Sequence, residues 1–327
     1  MMLTKMLPGL IATIALSGAA FAQSYPVKPL TLMVPCPAGG VSDVVARKVN
    51  VALAKSLGQP VIIENLGGAG GAIAAQKVLN APADGYMIFQ GSPNELILAP
   101  LANAAVRYRT EDFRQVQRVA TSPMAVVARG DFPAANSDEL VAYAAKVAKE
   151  GKPLTYASVG NGSFYHLLGE QMSRLAGVPM THVPYRGGGP ILGDLLGGQI
   201  DIFITPYGAP HVEMDKLGKL KFVTALSASR QPLIKHVPAV DEGRSLKGFH
   251  YVIGTGYFVR KDTPEPIVQA LHKALSEVLA DPDLRAALNA QGTDVSAPLT
   301  LEQAAKAYAD EANQYRAIAR AINLQPQ

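Results

Sequence analysis

The sequence predicts an α/β protein with largely parallel sheets, organised as two domains behind a removable leader. Three features carry that expectation. Short apolar runs alternate with helical periodicity, the 327 residues suit two domains of ordinary size, and the first residues are laid out like an export signal.

The leader comes first. Lys5 gives a positive start, an apolar stretch runs from Met6 to Ala19, and Ala20-Phe21-Ala22 reads as a small-x-small cleavage site. Cleavage is expected after Ala22, with an exported mature chain starting at Gln23. A membrane span needs about 20 apolar residues, and this stretch is interrupted by Pro8, Gly9 and Gly18. Cys36 is the one cysteine and lies well past the cleavage site. It cannot be a lipidated first residue, and a single thiol makes neither an internal disulfide nor a thiolate metal cluster. The net charge is +4, with charged residues at 17% and scattered. Removing Lys5 with the leader leaves about +3. Nucleic-acid binding wants clustered Lys and Arg with stacking aromatics, so that class is excluded.

Along the mature chain, strand-like runs are Leu30 to Val34, Pro60 to Glu64, Tyr86 to Gln90, Val116 to Ala128 and Leu154 to Ala157. His182 to Val183, Ile200 to Thr205, Lys221 to Leu226 and Tyr251 to Val259 follow. Val41, Val45, Val49, Leu53 and Leu57 recur at i+4 and predict one apolar helix face. Phe164, Leu167, Leu168, Met172 and Leu175 predict a second. Ile191, Leu192, Leu195 and Leu196 predict a third, opened by Pro190 and stopped at Gly197-Gly198. Thr263-Pro264 opens a helix carrying Ile267, Leu271, Leu275 and Leu279, and Thr300 with Gln303 forms a capping box for a last helix reaching about Ile322. With no strand expected after Val259, these C-terminal helices should pack back on the first lobe. The chain then crosses between lobes near Ser122 to Arg129 and returns near Phe249 to Arg260. The implied division is 23–124 and 250–327 for one lobe and 125–249 for the other.

Two segments share a strand, glycine loop, helix plan. In Pro35-Cys36-Pro37-Ala38-Gly39-Gly40-Val41-Ser42-Asp43, glycines allow close backbone approach and unpartnered N–H groups open the helix, which suits an anion. Ser42 or Asp43 is expected to cap the helix or meet the ligand. The second loop is Ser158 to Ser163, with Asn161 and Gly162 in the turn, Ser163 as N-cap and His166 one turn inside. Ser92 and Asn94 follow one strand end and Thr205 ends another, where open α/β sheets concentrate ligand contacts. Arg186 is read either as a ligand partner or as a surface arginine, and Phe164 and Tyr207 either as cleft or as core residues.

Catalytic and cofactor motifs are missing. There is no Walker A sequence, no G-x-G-x-x-G, no G-x-S-x-G and no H-E-x-x-H. The six histidines lack metal-like spacing. Ser163 and His166 at i, i+3 could touch, but a hydrolase also needs an orienting acid and an oxyanion hole. No cofactor, no metal and no catalytic residue is expected.

At these residues the chain resembles the Bug family, the periplasmic receptors of tripartite tricarboxylate transporters. Pro35 to Asp43 with Ala46-Arg47 is similar to the family's first loop and helix. Asn65 to Gly71, Ala83-Asp84-Gly85-Tyr86, Gly160 to Leu167, Val183 to Gly187, Leu195 to Asp201 and Glu242-Gly243 match further signatures in order. The resemblance implies a type II periplasmic-binding-protein fold, in which two α/β lobes are joined by two crossing strands over a ligand cleft. It implies a small carboxylate ligand gripped mainly by backbone N–H groups and waters rather than by an arginine clamp, and membrane permease subunits as partners; nothing in the sequence suggests more than a monomer. Carried over, the ligand meets Ala38, Gly39, Gly40 and Asp43 from one lobe and Gly162, Ser163 and His166 from the other. The chain departs from the family pattern at Cys36, at Ala239 and in having no tryptophan. A sensor that docks on a membrane signalling protein and an exported hydrolase are the competing functions.

Overall fold

The computed structural model of the chain describes residues 25–321 and 324–326. The expected leader, its cleavage site after Ala22 and the expected helix end at Ile322 lie outside the described residues.

The first unit is parallel. β1 (Leu30–Val34) is an almost unbroken apolar run because both its faces are covered. α1 (Val41–Leu57) carries the chain back so that β2 (Val61–Asn65) lies parallel beside β1, with Leu30 opposite Val61. α2 (Ala72–Asn80) does the same for β3 (Met87–Gly91) on the other edge of β1. A helical turn at 94–98 runs into α3 (Ala99–Ala102), and the chain then enters the long strand β4 (Phe113–Arg129).

The second unit repeats the pattern. α4 (Ser137–Lys149) starts at Asn136, whose Oδ1 accepts the Glu139 N–H at 2.9 Å. β5 (Thr155–Ser158), α5 (Phe164–Ala176), β6 (Thr181–Pro184), α6 (Gly188–Leu196) and β7 (Ile202–Pro206) follow, then α7 (Ala209–Lys216) and β8 (Leu220–Ala225). β9 (Val252–Arg260) returns to the first unit and is followed by α8 (Glu265–Ala280), α9 (Pro282–Asn289), β10 (Asp294–Val295) and α10 (Leu301–Ala321).

β4 belongs to both sheets. Its residues Phe113 to Pro123 run antiparallel to β9, whereas Met124 to Arg129 run antiparallel to β7 and β8. The first lobe has the strand order β2-β1-β3-β9-β4, and the second has β4-β7-β5-β6 with β8 on the other edge of β4. The changeover falls at Pro123, which has no N–H to offer a ladder. The chain comes back at Tyr251, whose N–H donates to the Leu226 carbonyl at 3.0 Å, and at Val252 opposite Pro123. The sheets are therefore mixed rather than largely parallel. Parallel pairing holds where helices make the connection, and every pairing of the crossing strands is antiparallel.

Two expectations need correction. A strand does follow Val259: β10 pairs Asp294 with Thr121 and Val295 with Ala120 on β4. At two residues it is too short for periodicity to reveal. Leu175 is not part of the apolar face of α5. It is 49% exposed, while Phe164, Leu167, Leu168 and Met172 are buried.

The C-terminal helices do pack on the first lobe. Val268, Leu271 and Leu275 of α8 share one core with Leu30, Leu32, Val45 and Val49, and Tyr308 and Tyr315 of α10 share another with Leu96 and Phe258. The predicted capping box forms, with Thr300 N–H to Gln303 Oε1 at 2.9 Å and Gln303 N–H to Thr300 Oγ1 at 3.1 Å. One fully buried polar side chain fastens these helices to β4. Gln117 Nε2 donates to Ser276 Oγ and to the Leu299 carbonyl, both at 3.0 Å, and its Oε1 accepts the Leu299 N–H at 3.1 Å. A Gln117→Ala change removes these three hydrogen bonds from a half-buried junction, each worth about 0.5–1.5 kcal/mol. Urea denaturation of Gln117→Ala should therefore show a loss of about 2–4 kcal/mol; a loss below about 0.5 kcal/mol would refute this fastening role.

Candidate functional site

Between the lobes lies a cavity of about 420 Å³, within the size range of small-molecule sites. The first lobe contributes Ala69, Gly70, Asn94, Ala99, Ala102 and Asn103. The second contributes Val159 to Ser163, Tyr185 and Arg186.

The second-lobe wall is the turn between β5 and α5. Ser163 caps α5, its Oγ accepting the His166 N–H at 3.4 Å. Gly162 holds φ at 72°, a left-handed conformation that strains residues with a side chain. It is also pressed against the other lobe, where a Cβ on Gly162 would sit 1.7 Å from the Ala102 Cβ. The turn's N–H groups are largely spoken for. Gly160 donates to Ser158 Oγ at 3.1 Å, Gly162 to His166 Nδ1 at 2.9 Å and Ser163 to the Gly160 carbonyl at 3.2 Å. The Phe164 N–H donates across the cleft to Asn94 Oδ1 at 2.7 Å. The expected cradle of unpartnered N–H groups is thus replaced by an internally bonded turn, with the other lobe holding the first helical donor.

His166 turns back into this network rather than into the cavity. Burial lowers its pKa, outweighing the carboxylate of Glu170, whose Oε1 lies 3.8 Å from Nε2. Its ring stacks on His182 at 4.0 Å, and burial, then the His166 charge, push His182 down to about 4.

In the first-lobe loop, Asp43 is a structural hub. The carboxylate is 2% exposed and accepts from the Gly39 N–H at 2.8 Å, Arg47 Nε at 2.9 Å and Asn65 Nδ2 at 3.0 Å. Burial alone would raise its pKa, but the Arg47 guanidinium, the Gly39 N–H and the Asn65 amide together hold it below the usual carboxylate range. Asp43 reaches back to the loop, and the N-cap position itself, Gly40, has no side chain with which to cap. Ala38 and Gly39 are exposed and Gly40 is half-buried, at the rim of the cleft rather than in the cavity wall.

Of the residues singled out from sequence, the cavity brings together Asn94, Asn161, Gly162 and Ser163. The others have different partners. Ser42 accepts from Gln90 Nε2 at 2.6 Å, Ser92 donates its hydroxyl to Glu95 Oε2 at 2.6 Å, and Thr205 donates to the Pro206 carbonyl at 3.1 Å. Phe164 and Tyr207 are each 1% exposed and belong to the core. No serine–imidazole pair points into the cavity: Ser163 bonds the His166 backbone, and Ser158, 2.6 Å from His182 Nε2, is fully buried. Sequence reasoning missed Ala99, Ala102 and Asn103, which form a small-residue helical turn without a polar pattern. The signal for Ala69-Gly70 was the glycine cluster around it.

The polar lining includes several groups with hydrogens to donate. Arg186 is the one charged residue in it and is exposed. Asn103 Oδ1 accepts the Ala105 N–H at 2.9 Å, which leaves its amide hydrogens to donate, and the Ser163 hydroxyl keeps its own hydrogen. The Tyr185 hydroxyl is committed to Asp194 Oδ2 at 2.7 Å. No Asp or Glu lines the cavity. Among the described residues, no group of three or more His, Cys, Asp or Glu is placed to hold a metal ion.

Known proteins place this architecture. Residues 45–324 match the family described as the tripartite tricarboxylate transporter family receptor. A UPF0065 protein of Agrobacterium vitis is 35% identical over 303 residues, covering 91% of this chain and 86% of that one. The structure of the periplasmic binding protein BugD superposes with a TM-score of 0.81 at 31% identity, covering 93% of this chain and 100% of that one. MatC from Rhodopseudomonas palustris, solved with bound malate, gives a TM-score of 0.81 at 32% identity and covers 90% of this chain and 99% of that one. These neighbours are solute-binding proteins, not enzymes. A cleft between two lobes, a donor-lined cavity and these matches lead to one conclusion: the chain belongs to the tripartite tricarboxylate transporter receptor family.

Proposed function

We propose that this protein is an exported receptor that closes its two lobes around a small carboxylate and presents it to the membrane subunits of a tripartite tricarboxylate transporter. One observation carries the ligand class: the interlobe cavity offers an arginine and neutral donors, and no carboxylate of its own. An anion desolvated there meets hydrogen bonds to a charged group, each worth about 1.5–3 kcal/mol. The malate bound by MatC is an anion of this kind. Export after Ala22 and delivery to permease subunits are part of the same proposal, supported by the leader-like N-terminus and the family.

Closure is a population shift. The Asn94–Phe164 bond and the Gly162–Ala102 contact exist only when the lobes meet, and a ligand touching both walls adds to them. Either lobe alone presents half the lining.

A thermal-shift screen of the chain beginning at Gln23 against mono- and dicarboxylates, with sugars as controls, tests the ligand class. A ligand at about 100 times its dissociation constant adds about 2.7 kcal/mol, and the hits should be confined to carboxylates. A screen flat for every acid would count against the proposal. For a hit acid, Arg186→Gln should weaken binding by about tenfold to a hundredfold, the loss of one charged hydrogen-bonding partner; unchanged affinity would remove Arg186 from the site.

The close approach at Gly162 gives a second test. Gly162→Ala adds left-handed strain of about 1 kcal/mol and drives a methyl into Ala102, so closure and affinity should both fall. Adding Ala102→Gly should recover the part due to the clash and leave the part due to strain. A double variant no better than Gly162→Ala would show that the lobes do not meet there when ligand binds.

A further inference from the structure

Behind the cavity wall, two histidines from different elements hold the two ends of one turn. His166 on α5 and His182 on β6 stack with centroids 4.0 Å apart and planes 16° apart. His166 Nδ1 accepts the Gly162 N–H at 2.9 Å. His182 Nε2 lies 2.6 Å from Ser158 Oγ, which accepts the Gly160 N–H at 3.1 Å and donates to the Gly160 carbonyl at 2.9 Å. Gly160 and Gly162 line the cavity, and neither histidine does.

The His166 bond fixes a protonation state. A ring nitrogen that accepts carries no hydrogen, so His166 is neutral with its hydrogen on Nε2. Protonation places a hydrogen on Nδ1 directly against the Gly162 N–H, and an acceptor becomes a second donor. Every element packed against this ring bears on the balance. Glu170, on the same helix, favours the cation from 3.8 Å, but its Oε1 also accepts the Tyr156 hydroxyl of β5 at 2.5 Å. His182 of β6, stacked on Tyr156 at 5.1 Å, opposes a second charge beside its own ring. The turn contributes backbone, and Ser158 contributes a neutral hydroxyl.

We propose that His166 is a positioning residue: as a neutral acceptor it fixes Gly162, and with it the wall at 160–163, and its protonation loosens that wall and weakens the hold on ligand. The geometry sets the sign. The fixed turn needs the neutral ring, and burial disfavours the cation in the folded chain. The arrangement is therefore fully favoured above the pKa of a free imidazole, about 6.5, and is progressively penalised as the pH falls below it. The role acts through Gly162, so His166 serves the site without touching ligand. The binding consequence rests on the carboxylate-receptor reading, whereas the loop consequence stands without it.

Two measurements on the chain beginning at Gln23 test this, each between pH 7.5 and 5.5. Amide hydrogen exchange on the ligand-free protein, corrected for intrinsic rates, should show protection at 160–163 falling several-fold with acid. In His166→Asn, whose Oδ1 supplies an acceptor that does not titrate, protection should stay flat. With malate as probe, wild-type affinity should fall by about tenfold beyond any fall in His166→Asn, so that titration of malate itself cancels. Parallel pH profiles in the two proteins overturn the proposal. If malate fails to bind at any pH, the probe has failed and the exchange arm alone decides the role of His166. Nitrogen NMR of the wild-type ring gives a check independent of any variant: a hydrogen on Nδ1 at pH 7.5 overturns the proposal.

Discussion

Everything at the site depends on two sheets sharing one strand. β4 gives its first eleven residues to one lobe and its last six to the other, without a break in the chain. Antiparallel neighbours pair with both of its edges, β7 and β8 along the second-lobe half and β9 with the two-residue β10 along the first, so a one-residue slip would exchange its two faces. β3 ends on one side of this shared axis and β5 on the other. The turns after those strands, one leading to Asn94 and the other to Ser163, therefore face each other. Pro123 stands at the changeover, where a missing N–H does least harm.

Given that frame, closure is set by small groups. Asn94 is 6% exposed and reaches 2.7 Å from the Phe164 N–H, while Ala102 meets the bare Cα of Gly162. Tyr315 of α10 meets Phe164 edge-on at 5.2 Å, and the Tyr251 hydroxyl bonds Gln171 Oε1 at 2.6 Å. These contacts favour the closed form whatever lies in the cavity. They continue an apolar core in which Leu96 and Tyr315 of the first lobe meet Phe164 and Leu167 of the second, and a ligand's contacts to both walls add to that preference.

The sequence revealed the strands and the two glycine loops because apolar periodicity and turn chemistry are local signals. It placed Ser163 as an N-cap and Thr300 with Gln303 as a capping box, both of which form within a single turn of helix. The direction in which a polar side chain points is decided by distant partners instead. Asp43 reads as a ligand group, but Asn65, twenty-two residues on, and the Gly39 N–H claim it. Ser42 is taken by Gln90 from a neighbouring strand, and Ser92 by a buried glutamate. His166 looks outward on a helical wheel, yet its ring is held by the turn before it and by a strand sixteen residues later. The first-lobe wall at Ala99 to Asn103 carried no signal, because small residues line a cavity by being absent from it.

The same buried partners decide the electrostatics. A site for an anion must keep its neighbouring acids from facing it, and three carboxyl groups stand close by in the chain. Asp43 keeps its charge but spends it on Arg47, Asn65 and the Gly39 N–H. Asp194 takes the Tyr185 hydroxyl, so that tyrosine presents its ring and not a competing acceptor. Glu95 is 7% exposed, and burial raises its pKa to about 7 against the opposing Ser92 bonds. Much of its charge is thus discharged at neutral pH, and what is left is bonded to Ser92. The glutamate needs that depth: its Cγ lies 2.2 Å from where a Gly71 Cβ would stand, so a bare glycine next to the cavity-lining Gly70 lets the acid sink below the wall. Ser92, offered by sequence reading as a ligand contact, thus acts one step further back: it holds the Glu95 carboxyl out of the cleft, while Arg186, Asn103 and Ser163 face it.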